Sequence, residues 1–284
     1  MTEPAAAAAA SPDQLRADQD RVVDLLGREW SVIADLLAGL DDEAWSSPAL
    51  PGWDVRDVIS HLIGTERALA GAQHPDVPAD GDVGEHVRND IGRVNEAWIV
   101  ALRDCPPAGL LAAFRAVTAE RLASLRAMPA EKFNAPSWTP AGQATYARFM
   151  QIRIFDCWMH EQDIRAAVAM PGHEGGPVAE QALDEVVAAI GYIVGKRGRA
   201  PDGSSVRIRL TGPVERALHV VVDGRARPVE AIDGEPTASL ALSSSLFMRL
   251  AGGREDTGAA LGRIELGGDL ALARQLATNL AYTI

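Results

Sequence analysis

Long stretches in which apolar residues recur every three or four positions constrain this chain most, because that spacing forms one face of an amphipathic helix. The first stretch carries its apolar residues at Val22, Leu26, Trp30, Ile33, Leu37 and Leu40. A second helix is expected after Asp54, which can cap it. A loop is predicted at 73–84, and further helices at 87–102, 110–128 and 141–169. Four or five long helices joined by short connections predict an antiparallel bundle.

The pattern changes after residues 171–177, a segment rich in proline and glycine. A helix at 179–195 is followed by alternating or β-branched runs, which predict strands at 206–210, 218–222, 238–242 and 263–266. Helical stretches are interleaved with these strands at 244–250 and 270–281. The predicted fold is therefore mainly α in two domains, a helical bundle over residues 1–172 and a small α+β domain over residues 173–284.

Composition and charge limit where the chain works and what it binds. Its 284 residues favour two domains, and its net charge of -12 argues against nucleic acid or an anionic membrane as the main partner. Only two cysteines are present, so no disulfide framework is implied. The alanine-rich start lacks the features of a secretory signal, and no stretch is apolar enough to span a membrane. These observations predict a cytoplasmic protein, with monomer and homodimer both open.

The helix predicted at 141–169 carries charged residues on its apolar face. At about 100° per residue, the stripe that faces the bundle also holds Arg153, Asp156, His160 and Asp163. A buried carboxylate or imidazole is costly unless it is paired or bound to a metal, so this helix departs from its own pattern for a reason. Asp156 and His160 lie one turn apart, and their side chains converge on one point.

His61, on the second helix, lies at the border of the apolar face and can point into the bundle. With Asp156 and His160 it would complete a three-ligand site that leaves coordination positions for water or substrate, as catalytic zinc requires. Nickel is the alternative for this mixture of imidazole and carboxylate ligands. Asp163 is placed to orient the imidazole of His160. Without a metal, the same residues would form a structural ion pair or a capped core histidine.

Two sequence motifs carry a resemblance to a known family. The motifs are Leu50-Pro-Gly-Trp-Asp-Val-Arg-Asp-Val-Ile-Ser-His-Leu62 and Arg153-Ile-Phe-Asp-Cys-Trp-Met-His-Glu-Gln-Asp-Ile164. Both resemble the motifs of the mycothiol-dependent maleylpyruvate isomerase family, which belongs to the DinB-like superfamily of metal-binding four-helix bundles. Residues 238–281, which include Gly252-Gly-Arg and Leu266-Gly-Gly-Asp, resemble that family's C-terminal domain, which is similar to sterol-carrier-protein folds.

The resemblance implies a metal-dependent enzyme. His61 and His160 match the family's metal-binding histidines, while Asp156 falls where the isomerase members carry Glu. Such members use a divalent metal to activate the thiol of mycothiol, the low-molecular-weight thiol of actinobacteria. A metal cation lowers the pKa of a bound thiol and holds it as the reactive thiolate. Addition of the thiolate to an electrophilic small molecule would then give cis-trans isomerisation or S-transfer, so the implied enzyme is an isomerase or a transferase.

Other functions and other site residues stay open. Water on the metal would give a hydrolase, and a structural metal would leave a small-ligand-binding protein without catalysis. Glu66 is a candidate general base or one half of a buried ion pair with an arginine. Arg153 and Asp163 also match family positions. Candidate contacts for an anionic substrate are Arg88, Arg93, Arg254 and Arg263.

The remaining histidines and the cysteine beside Asp156 are interpreted as structural. Cys157 projects about 100° away from Asp156 on the helix, which favours packing over a role as a nucleophile. Surface or structural positions are expected for His74, His86, His173 and His219.

Overall fold

The computed structural model describes residues 11–76 and 84–283. The first compact unit ends at Met170 and the second begins at Pro171, two residues before the predicted boundary. Residues 77–83 of the predicted loop and the alanine-rich start of the chain lie outside the described residues.

Six α-helices make up the described part of the first unit. They are α1 (Pro12–Ala38), α2 (Val55–Leu69), α3 (Asp90–Leu102), α4 (Pro107–Ala127), α5 (Ala130–Phe133) and α6 (Tyr146–Ala167). Helices α1 and α2 each pack against both α4 and α6, while α3 packs on α2. The four long helices α1, α2, α4 and α6 therefore form the predicted bundle.

Contacts between the helices give their directions. Gln19 donates to the carbonyl of Leu125, and Gly27 lies against Leu122, so α1 and α4 run antiparallel. His61 faces Asp156 and Glu66 faces Arg153, so α2 and α6 also run antiparallel. An antiparallel pair brings the middle of α2 against the middle of α6, where the candidate ligands lie.

Two short hairpins precede α2 and α6. They are β1 (Pro48–Leu50) with β2 (Trp53–Asp54), and β3 (Pro136–Thr139) with β4 (Gly142–Thr145). Asp54 caps α2 as predicted, and its side chain and that of Asp57 form a reciprocal capping box. The prediction of helix from residue 141 was wrong, because Gly142 turns the hairpin at φ +101 and α6 begins only after Thr145 caps it.

The second unit is a five-stranded sheet with helices. Helices α7 (Pro177–Ala188) and α8 (Ile190–Tyr192) precede the strands β5 (Ser205–Thr211), β6 (Arg216–Asp223), β7 (Arg225–Val229), β8 (Ala238–Ser243) and β9 (Glu265–Gly268). The sheet order is β7-β6-β5-β8-β9, with β5 and β8 parallel and the other pairs antiparallel. Between and after the last strands lie α9 (Ser244–Ala251), α10 (Thr257–Ala260) and α11 (Leu270–Ala277). Strand β7 was not predicted.

The predicted fold class is confirmed. The chain is mainly helical, with a bundle followed by a small α+β unit. Within the described residues, no helix combines the length and apolar character needed to cross a membrane.

Candidate metal centre

His61 from α2 and Asp156 and His160 from α6 meet in the bundle. One ligand atom from each lies within 4.8 Å of the others. The Nε2 atom of His61 is 3.5 Å from Asp156 Oδ2, and the Nε2 atom of His160 is 3.7 Å from Asp156 Oδ1. A tetrahedral ion with bonds of about 2.1 Å holds its ligand atoms about 3.4 Å apart. The two measured separations, each to a different oxygen of Asp156, are close to this value, and the donor set fits a zinc-like ion.

The outer nitrogen of His160 is held by a carboxylate. Asp163, one turn along α6 and buried, lies with its Oδ2 atom 3.1 Å from His160 Nδ1. Because a carboxylate accepts, Nδ1 donates, which leaves the lone pair of Nε2 free to face Asp156. Carboxylate–histidine pairs of this kind orient and strengthen metal-binding imidazoles.

Electrostatics favour the forms of these side chains that bind a cation. Burial lowers the pKa of His61, which favours its neutral imidazole. Burial alone would raise the pKa of Asp156, but the Arg153 guanidinium and the imidazoles of His160 and His61 hold that pKa well below its usual range. With 31% of its side chain exposed, Asp156 is the open edge of the cluster. A metal requires deprotonated ligands of this kind.

Glu66 belongs to a buried ion network. Its Oε1 atom accepts from Arg153 Nε at 3.0 Å, and its Oε2 atom accepts from Arg121 Nε at 3.0 Å. Arg121 also donates to the Tyr146 hydroxyl at 2.8 Å, and Arg153 donates to Asp156. Both oxygens of Glu66 are thus occupied, which supports the ion-pair interpretation over that of a general base.

Comparison with known proteins places the chain in a family. The family model described as the mycothiol maleylpyruvate isomerase N-terminal domain matches residues 26–165, and the MDMPI C-terminal domain matches residues 180–275. The chain belongs to the mycothiol-dependent maleylpyruvate isomerase family. No curated protein matches the chain closely enough in sequence to count as a relative.

Solved structures agree with this family fold. The crystal structure of a mycothiol-dependent maleylpyruvate isomerase superposes with a TM-score of 0.55 at 18% identity, covering 84% of this chain and 90% of that one. A histidine-to-alanine mutant of a mycothiol-dependent maleylpyruvate isomerase gives a TM-score of 0.56 at 17% identity, over 88% of this chain and 92% of that one. At identities of 17% and 18%, this likeness shows a shared fold but not a shared function.

The predicted substrate contacts lie in both units of this family member. Arg88 is exposed just before α3, and Arg93 is half-buried in its first turn. In the second unit, Arg254 donates to the carbonyl of Gly252, and Arg263 pairs with Glu255. Their roles toward an anionic substrate stay predictions.

The predicted packing role of Cys157 agrees with its surroundings. Its thiol is buried, lies 3.5 Å from Arg153 Nη2, and has its pKa raised by burial. A thiol that resists ionisation is a poor nucleophile.

Two residues beside the candidate ligands were not predicted. The indole of Trp53 lies 5.5 Å from the ring of His61 and 6.2 Å from the ring of His160, measured between centroids. Glu96, buried in α3, accepts from Trp53 Nε1 at 3.3 Å. His86, interpreted from the sequence as surface or structural, also reaches Glu96. Trp53 lies inside the first family motif, and that position was the one available sequence signal.

Proposed function

We propose that this protein is a mycothiol-dependent metalloenzyme of the maleylpyruvate isomerase type, in which His61, Asp156 and His160 hold a divalent ion. The observation that carries the proposal is the convergence of two imidazoles and one carboxylate within 4.8 Å, from helices far apart in sequence. Family membership supports the choice of mycothiol as cosubstrate. Zinc fits the ligand set, with nickel as the alternative.

Charge and coordination both favour a thiolate at this site. The three side chains carry one negative charge between them, from Asp156, so one positive charge of a dication stays available for an anionic ligand. Bound there, the ion would lower the pKa of the mycothiol thiol and supply it as thiolate at neutral pH. Three protein ligands leave room for such a fourth group.

The chain's own residues orient the ligands. Asp163 fixes which nitrogen of His160 faces the centre, and Arg153 bridges Glu66 and the Asp156 carboxylate, which holds that carboxylate in place. The thiolate would add to a carbon–carbon double bond conjugated with a carbonyl group, so that the π bond breaks as the carbon–sulfur bond forms and an enolate is left. Rotation about the resulting single bond, followed by re-formation of the double bond and departure of the thiolate, would give a cis-trans isomer, whereas protonation of the enolate would give an S-conjugate. Isomerisation is the outcome that the family favours.

The test is His61→Ala. Two protein ligands remain after this change, below the usual minimum for catalytic zinc, so bound metal and thiol-dependent turnover should both fall close to zero. Circular dichroism should stay helical, because the change removes one buried imidazole and keeps the apolar side chains by which α2 packs in the bundle, Val58, Ile59, Leu62 and Ile63. Metal content and turnover with mycothiol are measured on the same folded preparation, against a panel of electrophiles that includes maleylpyruvate.

His74→Ala is the matched control, because His74 accepts a hydrogen bond from Trp98 and is not one of the three candidate ligands. A His61→Ala protein with full metal and full rate would overturn the proposal. Equal turnover of the parent protein without any thiol would favour a metal-dependent hydrolase instead.

A further inference from the structure

The two candidate histidine ligands are supported unequally. His160 Nδ1 is bonded to Asp163, whereas the buried Nδ1 of His61 has no hydrogen-bond partner within residues 11–76 and 84–283. Metal-binding histidines almost always donate their second nitrogen to a carboxylate, a carbonyl or water, and that bond sets the angle of the ring. None of the described protein groups therefore fixes the angle of the His61 ring through Nδ1.

The indole of Trp53 is in position to fix that angle by packing. It is tilted by 35° to the ring of His61 and by 35° to the ring of His160. The two imidazole centroids are themselves 4.9 Å apart. One aromatic ring thus packs against both imidazoles and restricts rotation of the one that lacks a hydrogen bond.

Trp53 is itself held by a carboxylate. Glu96 Oε2 lies 3.3 Å from Trp53 Nε1 and 3.2 Å from His86 Nε2. Because a carboxylate oxygen accepts, both nitrogens donate, so Glu96 joins the indole to His86. Arg103 lies 3.6 Å from the other oxygen of Glu96 and balances its charge.

His86 occupies a place that two glycines leave open. A Cβ atom at Gly52 would lie 2.3 Å from His86 Nδ1, and one at Gly84 would lie 2.6 Å from the same atom. Gly52, at φ +82, lies in the turn between β1 and β2, directly before Trp53. The ring of His86 also meets the indole edge-on, at 6.4 Å between centroids. The turn, the histidine and the indole therefore form one packed unit.

We propose that Trp53 is the positioning residue of His61, and that Glu96 and His86 hold the indole in place. This inference rests on the proposed metal site. Packing of the indole confines His61 to the orientation that points Nε2 toward Asp156, and so replaces the missing hydrogen bond. Asp163 positions His160 through a hydrogen bond, whereas Trp53 positions His61 through packing of the two rings.

The experiment measures metal binding by the full chain, independently of turnover. Zn²⁺ affinity is obtained by competition with a chelator, and the visible spectrum of bound Co²⁺ reports the ligand geometry. Trp53→Ala should weaken Zn²⁺ binding by about 10- to 100-fold, the range found when the support of a ligand is removed, and should alter the Co²⁺ spectrum. Trp53→Phe keeps a ring against the imidazoles and should recover most of the affinity.

Each variant has a matched control that separates positioning from general damage. The control for Trp53→Ala is Trp138→Ala, which removes an exposed tryptophan that contacts Phe149 and should leave both readouts unchanged. A second test variant, His86→Ala, should weaken Zn²⁺ binding by less than Trp53→Ala does. Its control is His74→Ala, which breaks the histidine–tryptophan pair of His74 with Trp98 and should not weaken Zn²⁺ binding.

The outcomes separate this inference from the function on which it rests. A parent protein that binds neither Zn²⁺ nor Co²⁺ contradicts the proposed function and this inference together. A parent that binds both, with equal binding and an equal spectrum in Trp53→Ala, overturns the inference alone, as does a Trp53→Phe protein as weak as Trp53→Ala. If Trp53→Ala does not fold, His86→Ala decides, because unchanged affinity in that variant contradicts the proposal.

Discussion

The two units bury different kinds of side chain. In the described part of the helical unit, nine buried residues are acidic, basic or histidine: Glu29, His61, Glu66, Glu96, Arg121, Arg153, His160, Glu161 and Asp163. In the described part of the C-terminal unit, the buried polar residues are Gln181, Ser204 and Ser244, none of which ionises. Its charged side chains lie nearer the surface, where pairing contributes little.

The C-terminal unit has an almost purely apolar core, whereas the core of the helical unit also contains paired charges. Strand β8 alternates buried and half-buried residues, so the C-terminal core follows the simple rule of one apolar face per element. Helix α6 instead buries charges beside apolar residues, and each must be compensated by a partner. Departures from local rules are expected where a site is built, so the comparison points to the bundle as the place of the chemistry.

The largest effect is expected for Arg153→Met, which removes the charge between Glu66 and Asp156. Breaking a buried ion network leaves uncompensated charge and costs about 3–5 kcal/mol of unfolding free energy. Urea unfolding followed by tryptophan fluorescence measures this loss in the helical unit, because all six tryptophans lie between residues 30 and 158.

Arg115→Met is the control for this change. Arg115 is exposed on α4, so its substitution should change stability by no more than about 0.5 kcal/mol. If Arg153→Met is as mild as the control, the buried charges of the bundle are not the stabilising network that the comparison assumes.

The same contrast explains how much could be predicted from the sequence. Apolar periodicity predicted the long helices, alternation predicted strands β5 and β8, and a β-branched run predicted β6, because in these elements local pattern and burial agree. Strand β7 was missed because its residues, Arg225 to Val229, include two arginines and Pro228 and are half-buried or exposed. An edge strand of this kind has no clear apolar face.

The candidate ligands could be proposed because they are polar side chains on apolar helix faces. Asp156 and His160 lie one turn apart on α6, and His61 lies on α2. Their supports could not be derived from periodicity. Trp53, His86 and Glu96 are joined by hydrogen bonds across 10 and 43 residues, and no spacing rule connects them. The pairing of Glu66 with two arginines was open from the sequence, because only the folded bundle shows which cations reach it.

A second, smaller effect is expected for Glu29→Gln and depends on pH. Burial, and then the neighbouring carboxylate of Glu161, raise the pKa of Glu29 well above its ordinary value of 4.5. The folded state thus retains a proton that the unfolded state loses, so this contribution to stability is full below about pH 4.5 and declines as pH rises toward the folded pKa. Glutamine stays neutral and removes this decline.

Unfolding free energies from pH 4.5 to 8, again by tryptophan fluorescence, check this prediction. Glu29→Gln should be relatively more stable than the parent at the upper end of the range, whereas Glu120→Gln, exposed on α4, should follow the parent throughout. Hydrogen exchange in strands β5 and β8 should not register the substitution. Parallel pH profiles for Glu29→Gln and the parent would show that Glu29 is ionised in the folded bundle.

The smallest effect is expected for Arg209→Ala, in the C-terminal unit. Arg209 on β5 and Glu265 on β9 lie 3.3 Å apart across Ala241, with 56% and 78% of their side chains exposed. Water already solvates both charges in the parent and still solvates Glu265 after the change, so the pair should contribute less than about 1 kcal/mol, and added salt should reduce even that. A double-mutant cycle with Glu265→Ala, read by hydrogen exchange in β5 and β8, isolates the pairwise free energy. A coupling as large as the loss in Arg153→Met would mean that ion pairs stabilise this chain regardless of burial, and the contrast between its two units would then have to be explained by something other than where their charges lie.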